Sequence, residues 1–156
     1  GSVLPSDAGT SFASVDLALL GRAGTLTPGV SGRPTIVNLF ASTCVPCRTE
    51  LPALAEFAAG HPGVDVVAVG TDPSPADSAE FLASVAPTLV GVSDRDGTAA
   101  RRWRVLTLPT TMFVRADGTE AARAIGALDA DDLARSVGRW LDATVTIADS
   151  WPPAQP

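Results

Sequence analysis

Residues 34–52 read PTIVNLFASTCVPCRTELP, and this stretch decides the fold. It opens with a short, apolar run rich in β-branched residues, PTIVNLF, which is typical of a buried strand. Beyond the second cysteine, apolar residues recur with helical spacing, so we predict a helix over about 44–59. Cys44 and Cys47 therefore lie where a buried strand gives way to a helix.

Strand and helix signals alternate along the chain that follows. The apolar run 64–70 predicts a second buried strand. Ser74 is predicted to cap the next helix, with Pro75 in its first turn. Further signals indicate a strand over 88–92 and a short helix over 98–104. These elements continue the β-α order that the first strand begins.

The last third of the chain predicts a hairpin and a terminal helix. An Asp-Gly pair separates two strand-like runs, 110–115 and 121–125, which is a hairpin signal. Asp129 is predicted to cap a helix over about 130–142. The resulting order, β-α-β-α-β-α-β-β-α, predicts an α/β fold. Its mixed central sheet is parallel in its early part and covered by helices on both faces.

The composition indicates one globular domain. The chain has 156 residues, 46% of them hydrophobic, enough for a core without structural disulfides or metals. We expect a flexible segment at 1–11, a domain over 12–143 and a Pro-rich tail at 144–156. The net charge of −6 argues against nucleic acid, whose phosphates need a basic face, and against docking on an anionic membrane. No apolar run approaches the roughly 20 residues that span a bilayer.

The two cysteines form a CxxC pair, which is either a redox pair or half of a metal site. A Cys/His zinc site needs four ligands, and His61 is the only histidine in the sequence, so no metal site is predicted. At the start of a helix, free backbone N–H groups and the helix dipole favour the Cys44 thiolate. Cys44 would attack a partner disulfide, and Cys47, one turn later, would resolve the mixed disulfide. This chemistry needs no cofactor.

Residues 38–52, NLFASTCVPCRTELP, resemble the NFWAsWCxPCRxExP signature of TlpA/ResA/DsbE-like thioredoxins. Residues 108–111, LPTT, resemble the cis-proline loop of that family, and the strand and turn after them are also similar. The resemblance covers nearly all of the predicted domain. It implies a thioredoxin fold with an added N-terminal β-hairpin and an inserted βα unit, which we place at 12–27 and 64–86.

The resemblance also implies which residues a partner protein would contact. A cis Pro109 would face the disulfide, and the backbone of Leu108 would be free to pair with an extended substrate peptide. The predicted substrate-binding residues are Thr43, Val45, Pro46, Leu108 and Pro109. The family normally carries Trp before the first cysteine, so Thr43 is a departure that changes the docking surface.

By the same resemblance, Glu50 matches the family's acidic residue one turn after the second cysteine. It would take the proton from Cys47 during resolution, which gives a catalytic set of Cys44, Cys47 and Glu50. The alternative interpretation of Glu50 is a solvated acid on the helix surface. Asn38 stands where cytoplasmic thioredoxins carry a buried acid, and Arg48 is interpreted as an exposed helix residue.

The resemblance implies a thiol–disulfide oxidoreductase that acts on exported cysteine proteins, with apocytochrome c as a candidate and a membrane or secreted redox partner. Family members are extracytoplasmic, whether secreted, lipoprotein or membrane-anchored, and any anchor would lie outside these 156 residues. We expect a monomer. The pair Val45-Pro46 offers no histidine to stabilise the thiolate strongly, so a reductant is favoured over a disulfide-donating oxidant.

Two other functions share this fold and stay open from the sequence. Sco-like copper chaperones use CxxxC with a distant histidine, whereas this chain has CxxC. His61 is expected to cap the far end of the first long helix. Peroxiredoxins need Thr three residues before the peroxidatic cysteine, and Ala41 occupies that position.

Overall fold

The structure is a computed structural model that describes residues 1–141. Within that range it has eight strands and four α-helices. The strands are β1 Ser2–Pro5, β2 Leu17–Leu19, β3 Thr25–Leu26, β4 Thr35–Phe40, β5 Asp65–Gly70, β6 Val90–Ser93, β7 Thr110–Val114 and β8 Glu120–Ile125. The helices are α1 Val45–Gly60, α2 Pro75–Val85, α3 Thr98–Arg102 and α4 Ala130–Ser136, which runs into a π-helical segment, Val137–Leu141. The predictions for 142–143 and for the tail at 144–156 lie outside the described residues.

The strands form one mixed sheet in the order β1-β8-β7-β4-β5-β6-β2-β3. Strand β4 lies near its centre, parallel to β5 and antiparallel to β7, and β5 is in turn parallel to β6. The parallel neighbours are the strands that α1 and α2 connect, as the alternation predicted. Every residue of β4 is buried, so the strand that leads to the CxxC pair is held on both sides and on both faces.

Side chains of β4 alternate between two hydrophobic clusters, one on each face of the sheet. Ile36 and Phe40 belong to the cluster that α1, α2 and α4 cover. Val37 and Leu39 belong to the opposite cluster, which contains Trp103 and residues of α3 and the β2–β3 hairpin. Helices therefore flank both faces of the sheet, and the predicted architecture is confirmed.

The N-terminal segment differs from its prediction. We expected residues 1–11 to be flexible, but Ser2–Pro5 form β1, which pairs antiparallel with β8 and places Val3 opposite Ala124. That expectation is wrong for residues 2–5. The reason is long-range, because the outer edge of β8 offers backbone groups to a segment whose own composition is only weakly strand-like.

The predicted N-terminal hairpin is present. Strand β2 pairs antiparallel with β3, and its other side pairs with β6, so the hairpin extends the sheet. Phe12 stacks on Trp103 with ring centroids 4.7 Å apart, and the Trp103 indole N–H donates to the carbonyl of Ala13 at 2.8 Å. These contacts fasten the segment before the hairpin to the end of α3. Strand β5 and helix α2 occupy the predicted 64–86 unit.

Helix ends show where local signals succeed and fail. Asp129 caps α4 through a capping box with Asp132, as predicted. Ser74 occupies the N-cap position of α2, but its side chain makes no capping hydrogen bond. Helix α3 ends at Arg102, earlier than predicted, and the chain turns at Arg104, whose φ is +55°.

Candidate active site

Cys44 stands at the N-terminus of α1. A short loop leads to it from the end of β4, and its N–H donates to the carbonyl of Ala41 at 3.1 Å. Cys44 takes the N-cap position with an extended backbone, φ −84° and ψ 106°. The unpaired N–H groups of the first helical turn and the positive end of the helix dipole therefore lie next to this residue.

Cys44 and Cys47 are joined by a disulfide, with Cα atoms 5.3 Å apart. Cys47 is fully buried, whereas Cys44 is half-buried. Thr43 and Pro46 are exposed, and Val45 is exposed to 78%. An incoming sulfur can therefore approach Cys44 but not Cys47.

The Leu108-Pro109 bond is cis, as the resemblance implied. Thr110 begins β7 opposite Leu39 of β4, so the two residues before it lie beside the end of β4, where the cysteine loop starts. Pro109 is buried, and Leu108 packs against the hydrophobic cluster that contains Cys47. The predicted substrate-binding residues of both loops thus lie at one end of the sheet.

Glu50 is buried, with 1% of its surface exposed. Its carboxylate accepts hydrogen bonds from Asn38 Nδ2 at 2.7 Å and from the Leu128 N–H at 2.7 Å. The Thr111 hydroxyl donates at 3.5 Å to Oε2, the oxygen that also accepts from Leu128. The interpretation of Glu50 as a solvated surface acid is therefore wrong.

The environment of Glu50 favours its neutral form. Burial raises the pKa of Glu50 above its ordinary value of 4.5, because desolvation disfavours the charged carboxylate, and the hydrogen bonds it accepts act in the opposite direction. Glu50 follows Cys47 by three residues, so both side chains lie on one face of α1. A carboxyl group with a raised pKa holds a proton more readily than a solvated carboxylate does, so Glu50 can accept a proton from a neighbouring group and return it.

The sequence matches the Redoxin family over residues 5–137. The chain belongs to the Redoxin family. Among its relatives is the thiol:disulfide interchange protein CycY of Rhizobium leguminosarum bv. viciae, 34% identical over 98 residues, which are 62% of this chain and 52% of CycY. Another is the thiol:disulfide interchange protein DsbE of Pseudomonas fluorescens biotype C, 28% identical over 123 residues, 78% of this chain and 68% of that protein. The redoxin chain thus spans about half the length of CycY.

Solved structures confirm the predicted thioredoxin fold. A secreted Mycobacterium tuberculosis disulfide oxidoreductase homologous to E. coli DsbE superposes with a TM-score of 0.70 at 24% identity. The superposition covers 80% of this redoxin and 94% of that chain. The resemblance to DsbE-like and ResA-like thioredoxins is likewise confirmed by the names of the relatives.

The residues around the redoxin disulfide include one that sequence reasoning missed. Asp72, just beyond β5, is 7% exposed and accepts hydrogen bonds from both the backbone N–H and the hydroxyl of Ser42 in the cysteine loop. A signal was available, because an acid directly after a buried parallel strand lies at the sheet edge where the neighbouring strand also ends.

Arg48 and His61 take the places predicted for them. Arg48 is exposed, and its guanidinium lies 4.9 Å from the centre of the Phe81 ring. His61 occupies the C-cap of α1, where its Nδ1 lies 2.9 Å from the carbonyl of Phe57. The two ends of this 16-residue helix are about 24 Å apart, so His61 and the cysteines do not share a copper ion. Within residues 1–141, no three His, Cys, Asp or Glu residues are grouped to hold a metal.

Proposed function

We propose that this chain is a thiol–disulfide oxidoreductase that exchanges the Cys44–Cys47 disulfide with cysteines of exported proteins. The observation that carries the proposal is the asymmetry of the pair: the reachable sulfur of Cys44 lies at a helix N-terminus, and the buried sulfur of Cys47 lies one turn inside. Such an arrangement separates a nucleophile from a resolving thiol.

The reduced pair would act in two displacements. The Cys44 thiolate attacks one sulfur of a partner disulfide, a mixed disulfide forms, and the other partner sulfur leaves as a thiolate. Cys47 then loses its proton and attacks the Cys44 sulfur, which releases the second partner thiolate. Two electrons pass to the partner, and the Cys44–Cys47 bond is formed. The reverse order would deliver a disulfide.

Glu50 is the proposed acceptor of the Cys47 proton. Both groups are buried on one face of α1, and a thiol that ionises away from bulk water needs a nearby base. The raised pKa of Glu50 brings its proton affinity closer to that of a thiol than a solvated carboxylate would be. Proton transfer would be direct or through one water.

The names of the relatives support an extracytoplasmic setting. CycY and DsbE are thiol:disulfide interchange proteins, and the structural neighbour from M. tuberculosis is secreted. Within residues 1–141 there is no helix of the length and apolarity needed to cross a bilayer. We infer that the substrates are exported cysteine proteins, with apocytochrome c as a candidate. The reduced pair would be regenerated by a membrane or secreted redox partner, and the chain would act as a monomer.

The proposal is tested by separating the two cysteines. Cys44→Ser should abolish the reduction of insulin by dithiothreitol-recycled protein, because the remaining thiol, Cys47, is buried. Cys47→Ser should instead accumulate a mixed disulfide with a disulfide-linked peptide, visible as an added mass by mass spectrometry, because Cys44 displaces one peptide thiolate and resolution is then blocked. Thr88→Ala, an exposed change in the α2–β6 loop, serves as the control. Undiminished activity of Cys44→Ser would refute the assignment.

A further inference from the structure

Asp72 makes a concentrated set of hydrogen bonds beside the cysteine loop. Its two carboxylate oxygens lie 3.0 and 3.2 Å from the Ser42 backbone nitrogen, and the Ser42 hydroxyl donates to Oδ1 at 2.8 Å. The Ser78 hydroxyl, which belongs to α2, donates to Oδ2 at 2.7 Å. This buried carboxylate therefore joins the loop after β4 to the helix after β5.

The strand ends hold Asp72 in that position. Its neighbour Thr71 donates to the carbonyl of Phe40 twice, from its N–H at 2.9 Å and from its hydroxyl at 3.0 Å. Ser42 lies two residues before Cys44, inside the turn closed by the Cys44 N–H and the Ala41 carbonyl. The approach of the chain to Cys44 is thus fixed by the segment after β5.

The far side of Asp72 is equally constrained. Ser78 is fully buried against Gly70, and a Cβ atom at position 70 would collide with the Ser78 side chain. The donors that face the carboxylate are neutral groups, and no arginine within residues 1–141 forms an ion pair with it. Its negative charge is balanced only by hydrogen bonds, so it contributes to the electrostatic potential at the nearby cysteine.

We propose that Asp72 is a positioning residue for Cys44 that also opposes ionisation of its sulfur; this inference rests on the proposed function. A carboxylate near a thiolate raises the free energy of the thiolate. The disulfide carries no charge, so the oxidised pair is unaffected. The reduced pair is therefore destabilised relative to the disulfide, which makes the pair a stronger reductant.

Asp72→Asn and Ser42→Ala separate charge from loop support. Asn removes the charge and keeps an acceptor for the Ser42 N–H; one serine hydroxyl can accept from its amide NH2 while the other goes on donating to its amide oxygen. Ala at position 42 keeps the charge and removes one balancing donor. The readouts are the pH midpoint of Cys44 alkylation by iodoacetamide and the equilibrium of the Cys44–Cys47 pair with glutathione.

Opposite shifts are expected from the two variants. Asp72→Asn should lower the alkylation midpoint and move the glutathione equilibrium about threefold or more towards the reduced pair, because a like charge has been removed. Ser42→Ala should raise the midpoint. A loop that was merely loosened would shift both variants in one direction, and that result would overturn the proposal. If Asp72→Asn does not fold, Ser42→Ala alone tests the proposal. An alkylation midpoint that fails to rise in Ser42→Ala would then overturn the proposal.

Asp94→Asn is the matched control. Asp94 is also a buried aspartate just beyond a parallel strand, β6, and accepts the N–H groups of Ala99 and Ala100 at 2.9 Å, but it serves α3 rather than the cysteine loop. Asp94→Asn should leave the alkylation midpoint and the glutathione equilibrium unchanged. A shift equal to that of Asp72→Asn would overturn the proposal. The glutathione equilibrium needs no protein substrate. Absence of insulin reduction by the wild type would therefore refute the proposed function without deciding the role of Asp72.

Discussion

Three separate parts of the chain donate hydrogen bonds to the carboxyl group of Glu50. Asn38 comes from β4, Thr111 from β7, and Leu128 from the turn before α4. Asn38 also donates to the Thr111 hydroxyl at 3.0 Å, so the donors are themselves connected. These donors satisfy the ionised carboxylate, and the Thr111 hydroxyl, which can also accept, offers a partner for the proton of the neutral form.

The raised pKa of Glu50 predicts a pH-dependent stability. Because the folded pKa lies above the ordinary 4.5, the folded state holds this proton more tightly than the unfolded state. The contribution of Glu50 to the free energy of unfolding is therefore greatest below pH 4.5 and is lost as the pH rises through the folded pKa. Glu50→Gln should lack this loss.

Urea unfolding of both proteins between about pH 4 and pH 7 measures the difference. The free energy of the wild type should fall relative to that of Glu50→Gln across this range. Glu56→Gln, which changes an exposed acid on the same helix, is the control and should track the wild type. Parallel profiles for the wild type and Glu50→Gln would contradict the assignment.

For single residues, the sequence indicates which side chains lie together at the start of α1 better than it indicates what surrounds them. Cys44, Cys47 and Glu50 follow from one short motif, because their spacing on a helix is local. The burial of Glu50 could not be predicted, since two of its partners, Thr111 and Leu128, are 61 and 78 residues away. The position of Asp72 after β5 indicated its place at the sheet edge, but its hydrogen bond to Ser42, 30 residues away, could not be predicted.

Among the elements, α4 has the most clearly encoded start. The Asp129 side chain accepts from the Asp132 N–H at 2.8 Å, and the Asp129 N–H donates to the Asp132 carboxylate at 3.2 Å. Hydrogen bonding to the Asp129 N–H is the main reason that the pKa of Asp132 is lowered. Both partners lie within four residues, which is why the capping box was predictable.

Loss of that capping box should be measurable. Asp129→Ala is expected to lower the free energy of unfolding by about 1 kcal/mol, because it removes the side-chain acceptor for a free helical N–H. Asp131→Ala is the matched control, since Asp131 is exposed in the same turn and lies outside the box. Urea unfolding should show the smaller effect for the control, and equal losses would argue against the cap.

The elements that were mispredicted depend on distant partners. Strand β1 exists because β8 presents an open edge more than a hundred residues later, so residues 2–5 alone carry little signal. Ser74 stands at a helix start, yet its hydroxyl is not used, because Pro75 and the backbone define the first turn. Local chemistry marks where a helix begins, and tertiary contacts decide which groups are used.

For the whole molecule, the two hydrophobic clusters are the main source of stability. They sandwich β4 and leave the disulfide at the end of the sheet rather than across it. The order of the central strands was predictable, because right-handed β-α-β crossovers restrict where consecutive parallel strands lie. The placement of β1 and of the β2–β3 hairpin at opposite edges was not, since no short connection dictates it.

Reduction should therefore leave the fold intact. We expect the oxidised and reduced proteins to unfold cooperatively, with free energies within about 2 kcal/mol of each other, because so short a loop constrains the unfolded chain little. Circular dichroism during urea unfolding, with and without dithiothreitol, measures this difference. The Cys44→Ser/Cys47→Ser double variant should match the reduced protein. Loss of cooperative unfolding on reduction would contradict the expectation.

The margins of the sheet are built from short strands. Strand β3 has two residues, and β1 has four and ends at Pro5, which has no N–H to donate. Long, flat edge strands are templates with which other polypeptides pair and on which fibrils grow. Neither edge strand of the described sheet offers such a template. If its substrates are unfolded cysteine-bearing chains, as we propose, the protein can thus expose its sulfur to them without pairing with them into aggregates.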